Sequence, residues 1–301
     1  YFTTVSHSMG TPSGSMVSDV KSSTYGGRME TKFGWNSNVF YSGVDFKHEE
    51  AKNTYMYMSM MSMMNNGTSW QDSEINQVGW FNEYNHHFSH SKFTASYRLD
   101  FNSGKANDPS EFFTNMYGST PKKQVNNSFN IGYTQYLSEN AELSVLAGRA
   151  QRSASLTERF INRFVTGNDS YQVLGNPDLK SETNNQADLV FTYRKENLYF
   201  QTDVFYSYIQ NYISGVIRED ITATSSSSPG VRQMQNIGNA IKAGFESRVN
   251  WKFLPHYRTE LAIAFSYGEN RKRKSPLPEI APFSLRWNAE AKFSNFNAGM
   301  V

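Results

Sequence analysis

Apolar and polar side chains alternate over runs of ten or more residues along most of this chain. Successive side chains on a strand point to opposite faces, so such alternation describes strands with one apolar and one polar side. In the clearest case Phe93, Ala95, Tyr97, Leu99 and Phe101 oppose Lys92, Thr94, Ser96, Arg98 and Asp100. Ala243, Phe245, Val249, Trp251 and Phe253 oppose Lys242, Glu246, Arg248, Asn250 and Lys252. The same pattern covers Leu261, Ile263, Phe265 and Tyr267, and again Phe283, Leu285, Trp287, Ala289, Ala291 and Phe293. Weaker versions lie near 24–35, 39–49, 75–88, 126–137, 141–152, 186–195 and 198–217. With partial first and last strands, the pattern predicts about thirteen strands.

The runs are long. Strands of globular proteins cluster near five or six residues, whereas a strand that crosses a membrane needs roughly 9–11. The connections also alternate in length. Short links fall at Asn36-Ser37-Asn38, Ser89-His90-Ser91, Ser138-Glu139-Asn140, Lys195-Glu196-Asn197 and Pro255-His256. Long ones fall at 10–23, 50–74, 103–125, 153–185, 218–232 and 268–282. Short and long links taking turns place every long loop at one end of the strands, the asymmetry of an outer-membrane barrel. The fold expected is therefore all-β, an antiparallel transmembrane β-barrel, present in part.

Composition supports this. Apolar residues make up only 38% of the 301, yet aromatics reach 15%. Mean hydropathy is −0.62, and no apolar run approaches the ~20 residues of a membrane helix. Many aromatics in a polar chain without helical runs fit strands facing lipid on one side and water on the other. A net charge of +2 argues against nucleic acid as a partner. There is no cysteine, which excludes a disulfide scaffold and Cys-based metal motifs. No nucleophile elbow, metalloprotease helix or phosphate-cradling glycine loop occurs, so no catalytic residue is nominated and no enzyme is expected. The Lys, Arg and Glu of the polar faces point into a lumen and suit an interior packed against a plug.

Three stretches carry a family resemblance. Leu174-Gly175-Asn176-Pro177-Asp178-Leu179-Lys180-Ser181-Glu182-Thr183 is similar to the "NPxLKPET" segment of TonB-dependent receptors, active transporters of the bacterial outer membrane. Asn236-Ile237-Gly238-Asn239-Ala240-Ile241-Lys242-Ala243-Gly244-Phe245-Glu246 resembles their "NxGxAxxxGxE" strand. Pro276-Leu277-Pro278-Glu279-Ile280-Ala281-Pro282-Phe283 resembles the proline-rich approach to a late strand. The resemblance implies a twenty-two-stranded barrel filled by an N-terminal plug domain and energised by the TonB complex. On this reading residues 1–301 are one barrel domain, incomplete at both ends, with the plug missing. The partners implied are the plug, the TonB complex, outer-membrane lipid and lipopolysaccharide. The basic run Arg271-Lys272-Arg273-Lys274, on an external loop, suits the last of these.

Within the family the copper receptors look closest. Six of the twelve methionines, Met56, Met58, Met60, Met61, Met63 and Met64, fall within nine positions. Thioethers are soft, uncharged ligands that suit Cu(I), and methionine also fills irregular apolar gaps. The order of connections puts this stretch in an external loop, where it is expected to capture copper ion as cargo. His7-Ser8-Met9 resembles the His-x-Met pair of copper receptors; positions two apart on a strand share a face about 6.6 Å apart. His7 and Met9 are thus expected to supply barrel ligands that a plug completes. The 152–160 run from Arg152 to Phe160 points the same way, and Met16, in the loop after the first strand, is a further candidate. His86, His87 and His90 read as a solvated periplasmic turn, and His48 with Glu49-Glu50 as a rim. No cofactor is expected. The alternatives are an iron-siderophore or cobalamin receptor of the same family, or a passive outer-membrane channel.

Overall fold

The computed structural model describes residues 15–59, 62–166, 169–225, 228–278, 280–294 and 296–300, with the backbone alone considered at 15–19 and 54–67. In chain order the elements are β1 (Ser15–Trp35), β2 (Asn38–Ser59), β3 (Ser62–Gly67), β4 (Ser73–His87), β5 (Ser91–Ala106), α1 (Glu111–Tyr117), β6 (Lys122–Tyr136), β7 (Ala141–Arg152), α2 (Leu156–Phe160), β8 (Phe164–Val165), β9 (Gln172–Leu174), β10 (Glu182–Lys195), β11 (Leu198–Gln210), β12 (Ile213–Arg218), β13 (Val231–Asn236), β14 (Ala240–Leu254), β15 (Tyr257–Asn270), β16 (Ser275–Pro276), β17 (Ser284–Phe293) and β18 (Phe296–Met300). One antiparallel sheet runs β1-β2-β4-β5-β6-β7-β10-β11-β14-β15-β17-β18, with β3 added to β2 and β16 to β15. The described strands form an open wall, not a closed barrel. No described helix is long and apolar enough to cross a membrane, which leaves crossing by strands untouched.

The alternation sorts the wall into two faces as expected. Tyr25, Met29 and Phe33 of β1, Val44 and Phe46 of β2, Val78 and Trp80 of β4, and Phe129 and Ile131 of β6 are all exposed on one side. Successive partners in the register, such as Phe46 with Val78 and Phe101 with Val125, keep these residues on that one face. On β1 the band runs from Tyr25 to Trp35. Roughly ten steps of ~3.4 Å, at a tilt of ~40°, make it about 26 Å tall, the height a spanning strand offers to lipid.

The opposite, lumenal face is polar and tightly paired. Arg98 binds Asp45 through two hydrogen bonds, at 2.7 and 2.8 Å, and also grips Asp100 at 2.6 and 2.8 Å. Gln77 donates to Asp100 at 3.0 Å, and the Arg28 guanidinium lies 4.1 Å from the centre of the Phe81 ring. Gly79 makes room for this cluster. A Cβ there would stand 2.7 Å from Arg98 Cζ and 2.8 Å from Asp100 Oδ1.

The short links join strands at one end and the long ones lie at the other, as predicted, but the long ones contain more structure than loops. The stretches 10–23 and 50–74 are corrected in part: β1 is already strand from Ser15, and β2 continues to Ser59 before β3 returns. Each extension satisfies the other's backbone, since β1 and β2 pair without a break from Ser15 opposite Met58 to Trp35 opposite Asn38. The stretch 198–217, expected as one strand, is two. Asn211 takes a left-handed backbone with φ of 54°, a conformation asparagine tolerates, and turns the chain out of the wall into β12.

Two long connections, 153–181 and 211–239, fold together into a cap over the lumenal face. Its four-stranded sheet has the order β12-β13-β9-β8, and β13 and β9, from different connections, pair in parallel. Ser110 caps α1 by accepting the Phe113 N–H at 3.2 Å. At α2, Ser155 and Glu158 form a reciprocal capping box, at 3.2 and 2.7 Å. The core joins cap to wall: Leu156, Phe160, Leu174, Ile221 and Val231 of the cap, with Phe113 of α1, pack on Ala51, Ile75 and Ala106 of the wall.

Candidate functional site: the capped mouth

The signature segments hold the cap down. Asn236 receives the Lys180 N–H at 2.8 Å and donates to the carbonyls of Lys180 (3.1 Å) and Asn211 (2.7 Å), so the two motif stretches meet. Leu179 gives its carbonyl to Gln124 on β6 at 2.6 Å, and Asp178 pairs with Lys122 at 2.6 Å. Gly175 lies against the end of α2, where a Cβ would come 2.6 Å from the Arg159 carbonyl carbon.

The 152–160 run becomes the hinge between wall and cap. Arg152, the last residue of β7, bridges Glu158 at 2.9 Å and Glu182 at 3.2 Å. Desolvation pushes the Glu158 carboxyl up, but hydrogen bonds from Arg152 and from the Ser155 N–H outweigh it and hold the carboxyl below its ordinary value. Arg159 is fully buried. Its Nη2 donates to Gln124 at 2.6 Å, while Nε and Nη1 have no partner among the described residues. Burial pushes its guanidinium down to about 10. Burial likewise pushes the Tyr117 hydroxyl up to about 12, although Gln233 donates to it at 2.6 Å.

The methionine stretch is corrected from an external loop to the far end of a hairpin. Met56 and Met58 belong to β2, and Met63 and Met64 to β3. Met58 stands opposite Met63, Tyr57 opposite Met64, and Val17 opposite Met56. Met16 is likewise strand, opposite Tyr57, rather than loop. Met60 and Met61 lie outside the described residues, as do His7 and Met9. The hairpin's base is bolted to the cap. Asn53 Oδ1 accepts the N–H groups of Ser69 (2.7 Å) and Trp70 (3.1 Å), Gln71 donates to the Phe160 carbonyl at 2.6 Å, and Trp70 Nε1 reaches Thr157 Oγ1 at 3.3 Å.

His48 is buried rather than a solvated rim: it stacks on Tyr25 at 4.6 Å and meets Asn76 at 2.8 Å and Glu50 at 3.6 Å. His86 sits at the short-turn end, hydrogen-bonded to Asn38 at 2.7 Å. Among the described residues no group of three His, Asp or Glu side chains converges as a metal centre.

Beside the cap sheet lies a cavity of about 1180 Å³. It is lined by Arg152 and Glu182 at the hinge, Lys242 of β14, Arg273 of the β15–β17 connection, and Tyr212 and Met234 of the cap. Lys242 sits 5.1 Å from the centre of the Tyr212 ring.

Residues 2–300 match the family model described as TonB dependent receptor-like, beta-barrel. The chain belongs to this family. Solved structures share the fold: the copper transporter OprC, with a TM-score of 0.78 and 20% identity over 95% of this chain and 43% of that one; the ferric citrate transporter FecA, with 0.68 and 12% over 98% and 43%; and the ferric yersiniabactin uptake receptor FyuA from Yersinia pestis, with 0.63 and 10% over 92% and 40%. At these identities the likeness concerns the fold. The chain spans about two-fifths of the length of these structures. No curated protein matches it in sequence.

Two features of this TonB-dependent receptor barrel escaped the sequence reading. The capping box was visible as Ser155-x-x-Glu158, a recognisable helix start. The cap sheet was not, because parallel pairing between residues 231–233 and 172–174 of separate connections leaves no mark in either segment.

Proposed function

We propose that this chain is the barrel portion of an outer-membrane TonB-dependent uptake receptor whose cargo is copper. The observation that carries the cargo assignment is the register of the methionine hairpin, with Met58 opposite Met63 and Met64 opposite Tyr57. Opposed positions in an antiparallel pair have Cα atoms about 4.5–5.5 Å apart, a spacing that two flexible thioethers can close on one soft ion. Anchored to the cap by Gln71 and Trp70, the hairpin is a collector at the mouth, and the fold likeness to a copper transporter is consistent with it. His7 and Met9, with ligands from a plug, would form the transfer site. In the complete receptor the plug would fill the lumen and the TonB complex would drive its movement to release the ion. Lipid would surround the apolar band, with lipopolysaccharide outside.

The cavity favours a second reading within the same class. Lys242 and Arg273 have no carboxylate partner among the described residues, and such a lining suits an anionic metal chelate of the kind an iron-siderophore receptor takes. Titration of the complete receptor with Cu(I) tests the first reading. Changing Met56, Met58, Met60, Met61, Met63 and Met64 together to Leu should weaken copper binding at least tenfold; binding and uptake equal to the unaltered receptor would remove the hairpin from the mechanism.

A further inference from the structure

The cavity runs along the free edge of β12. Five consecutive residues, 213–217, line it. Consecutive strand residues alternate between faces, so an unbroken run means the cavity borders the strand's edge rather than one side. Among the described residues β12 pairs only with β13, on its other edge.

Two hydrogen bonds set the phase of that free edge. The Ile237 N–H donates to the Tyr212 carbonyl at 2.8 Å, across the pairing with β13. The Ile213 N–H turns the other way and donates to Glu182 Oε2 at 2.9 Å. With a period of two, Gly215 and Ile217 also turn their N–H and C=O away from β13 and toward the cavity. An edge with such groups is a template for another extended chain, repeating every ~6.8 Å.

The charge along the edge is uneven. Glu158 and Glu182 are both taken by Arg152, and Asp169 is taken by Arg232 at 2.6 Å. Lys242 lies over the Tyr212 ring, and neither it nor the Arg273 side chain has a carboxylate partner among the described residues. The charge left free to meet a ligand is therefore positive.

We propose that the β12 edge receives a short, extended, peptide-like ligand that carries a carboxylate. Its amides pair with Gly215 and Ile217 as an added strand, and its carboxylate sets against Lys242 and Arg273. This rests on the second reading above, in which the cavity takes an anionic ligand, and it names that ligand's class as an amide-bearing carboxylate.

The test uses the complete receptor and a fluorescein-labelled tetrapeptide, Val-Ala-Val-Asp, with two isomers N-methylated at alternate residues. Strand addition requires that one isomer lose at least tenfold in affinity while the other binds like the parent. Ile217→Pro, which removes an edge N–H without touching the β13 pairing, should weaken the parent peptide at least tenfold in a receptor whose barrel still shows normal heat-modifiable migration. Lys242→Ala with Arg273→Ala should abolish the preference for the free carboxylate over the C-terminal amide. Equal binding of both isomers, unchanged binding by Ile217→Pro, or no peptide binding at all overturns the proposal. So does strong hydrogen-exchange protection of the Gly215 and Ile217 amides without peptide, which would show the edge paired by another segment of the receptor. Copper titration is read separately: copper binding without peptide binding sinks the edge site alone, and peptide binding without copper binding sinks the copper reading alone.

Discussion

Among the described residues the Arg159 side chain makes one hydrogen bond, from Nη2 to Gln124, in a site with no exposed surface. Gly104, Ile75 and Phe160 lie close beside its Nη1. Burial there lowers its pKa to about 10, well below the ordinary guanidinium value. At ~1.36 kcal/mol per pKa unit, this is about 3 kcal/mol acting against the charged form. Replacing the side chain by methionine keeps most of the apolar volume and removes the charge, at a cost of about 1 kcal/mol for the orphaned Gln124 oxygen. Arg159→Met is therefore expected to stabilise the closed cap by about 2 kcal/mol. The readout is hydrogen exchange at two amides that close the cap, Gly175 N–H to the Ile161 carbonyl and Asn176 N–H to the Glu158 carbonyl, at 2.7 and 2.9 Å. They should exchange about thirtyfold more slowly in the variant, since ~1.4 kcal/mol is a factor of ten. Exchange as fast as, or faster than, in the unaltered receptor would mean that Nε and Nη1 are satisfied in the complete protein, and the desolvation argument would fail.

The hinge carboxylate gives a pH dependence with a definite sign. Because the folded pKa of Glu158 is depressed, its stabilisation is present above the unfolded value of 4.5 and is lost as pH falls through the lower folded value. Exchange of the same cap amides should quicken in that acidic range, and Glu158→Gln should flatten the response; a variant with the same acid profile would place the effect elsewhere. On the lumenal wall, Gly79→Ala forces the Arg98 guanidinium off its pairing with Asp45 and Asp100 and should cost about 1–3 kcal/mol. An unchanged melting temperature would show that the guanidinium has somewhere else to go.

Much of the wall was legible because the signal is local. Phe93, Tyr97 and Phe101 against Lys92, Arg98 and Asp100 state a two-faced strand within ten residues, and the turn at Asn36-Ser37 needs only its neighbours. The motif segments were legible as family markers but silent about what they hold together. Nothing in Asn236 says that it will bind Lys180, 56 residues earlier. The methionines were legible as a cluster and misplaced as a loop, because whether Met56 and Met58 are strand depends on the partner that Val17 and Ser15 offer across the sheet.

By itself, then, the sequence determined the period, the two faces and the sidedness of the connections, all of which are set by the burial preference of each residue and its nearest neighbours, and its motif segments marked the family. Only the tertiary structure decided the cap, the buried Arg159 and the free edge of β12. Each depends on segments tens of residues apart meeting over the lumen, and the free energy of such a meeting lies in packing and hydrogen bonds that no local pattern encodes.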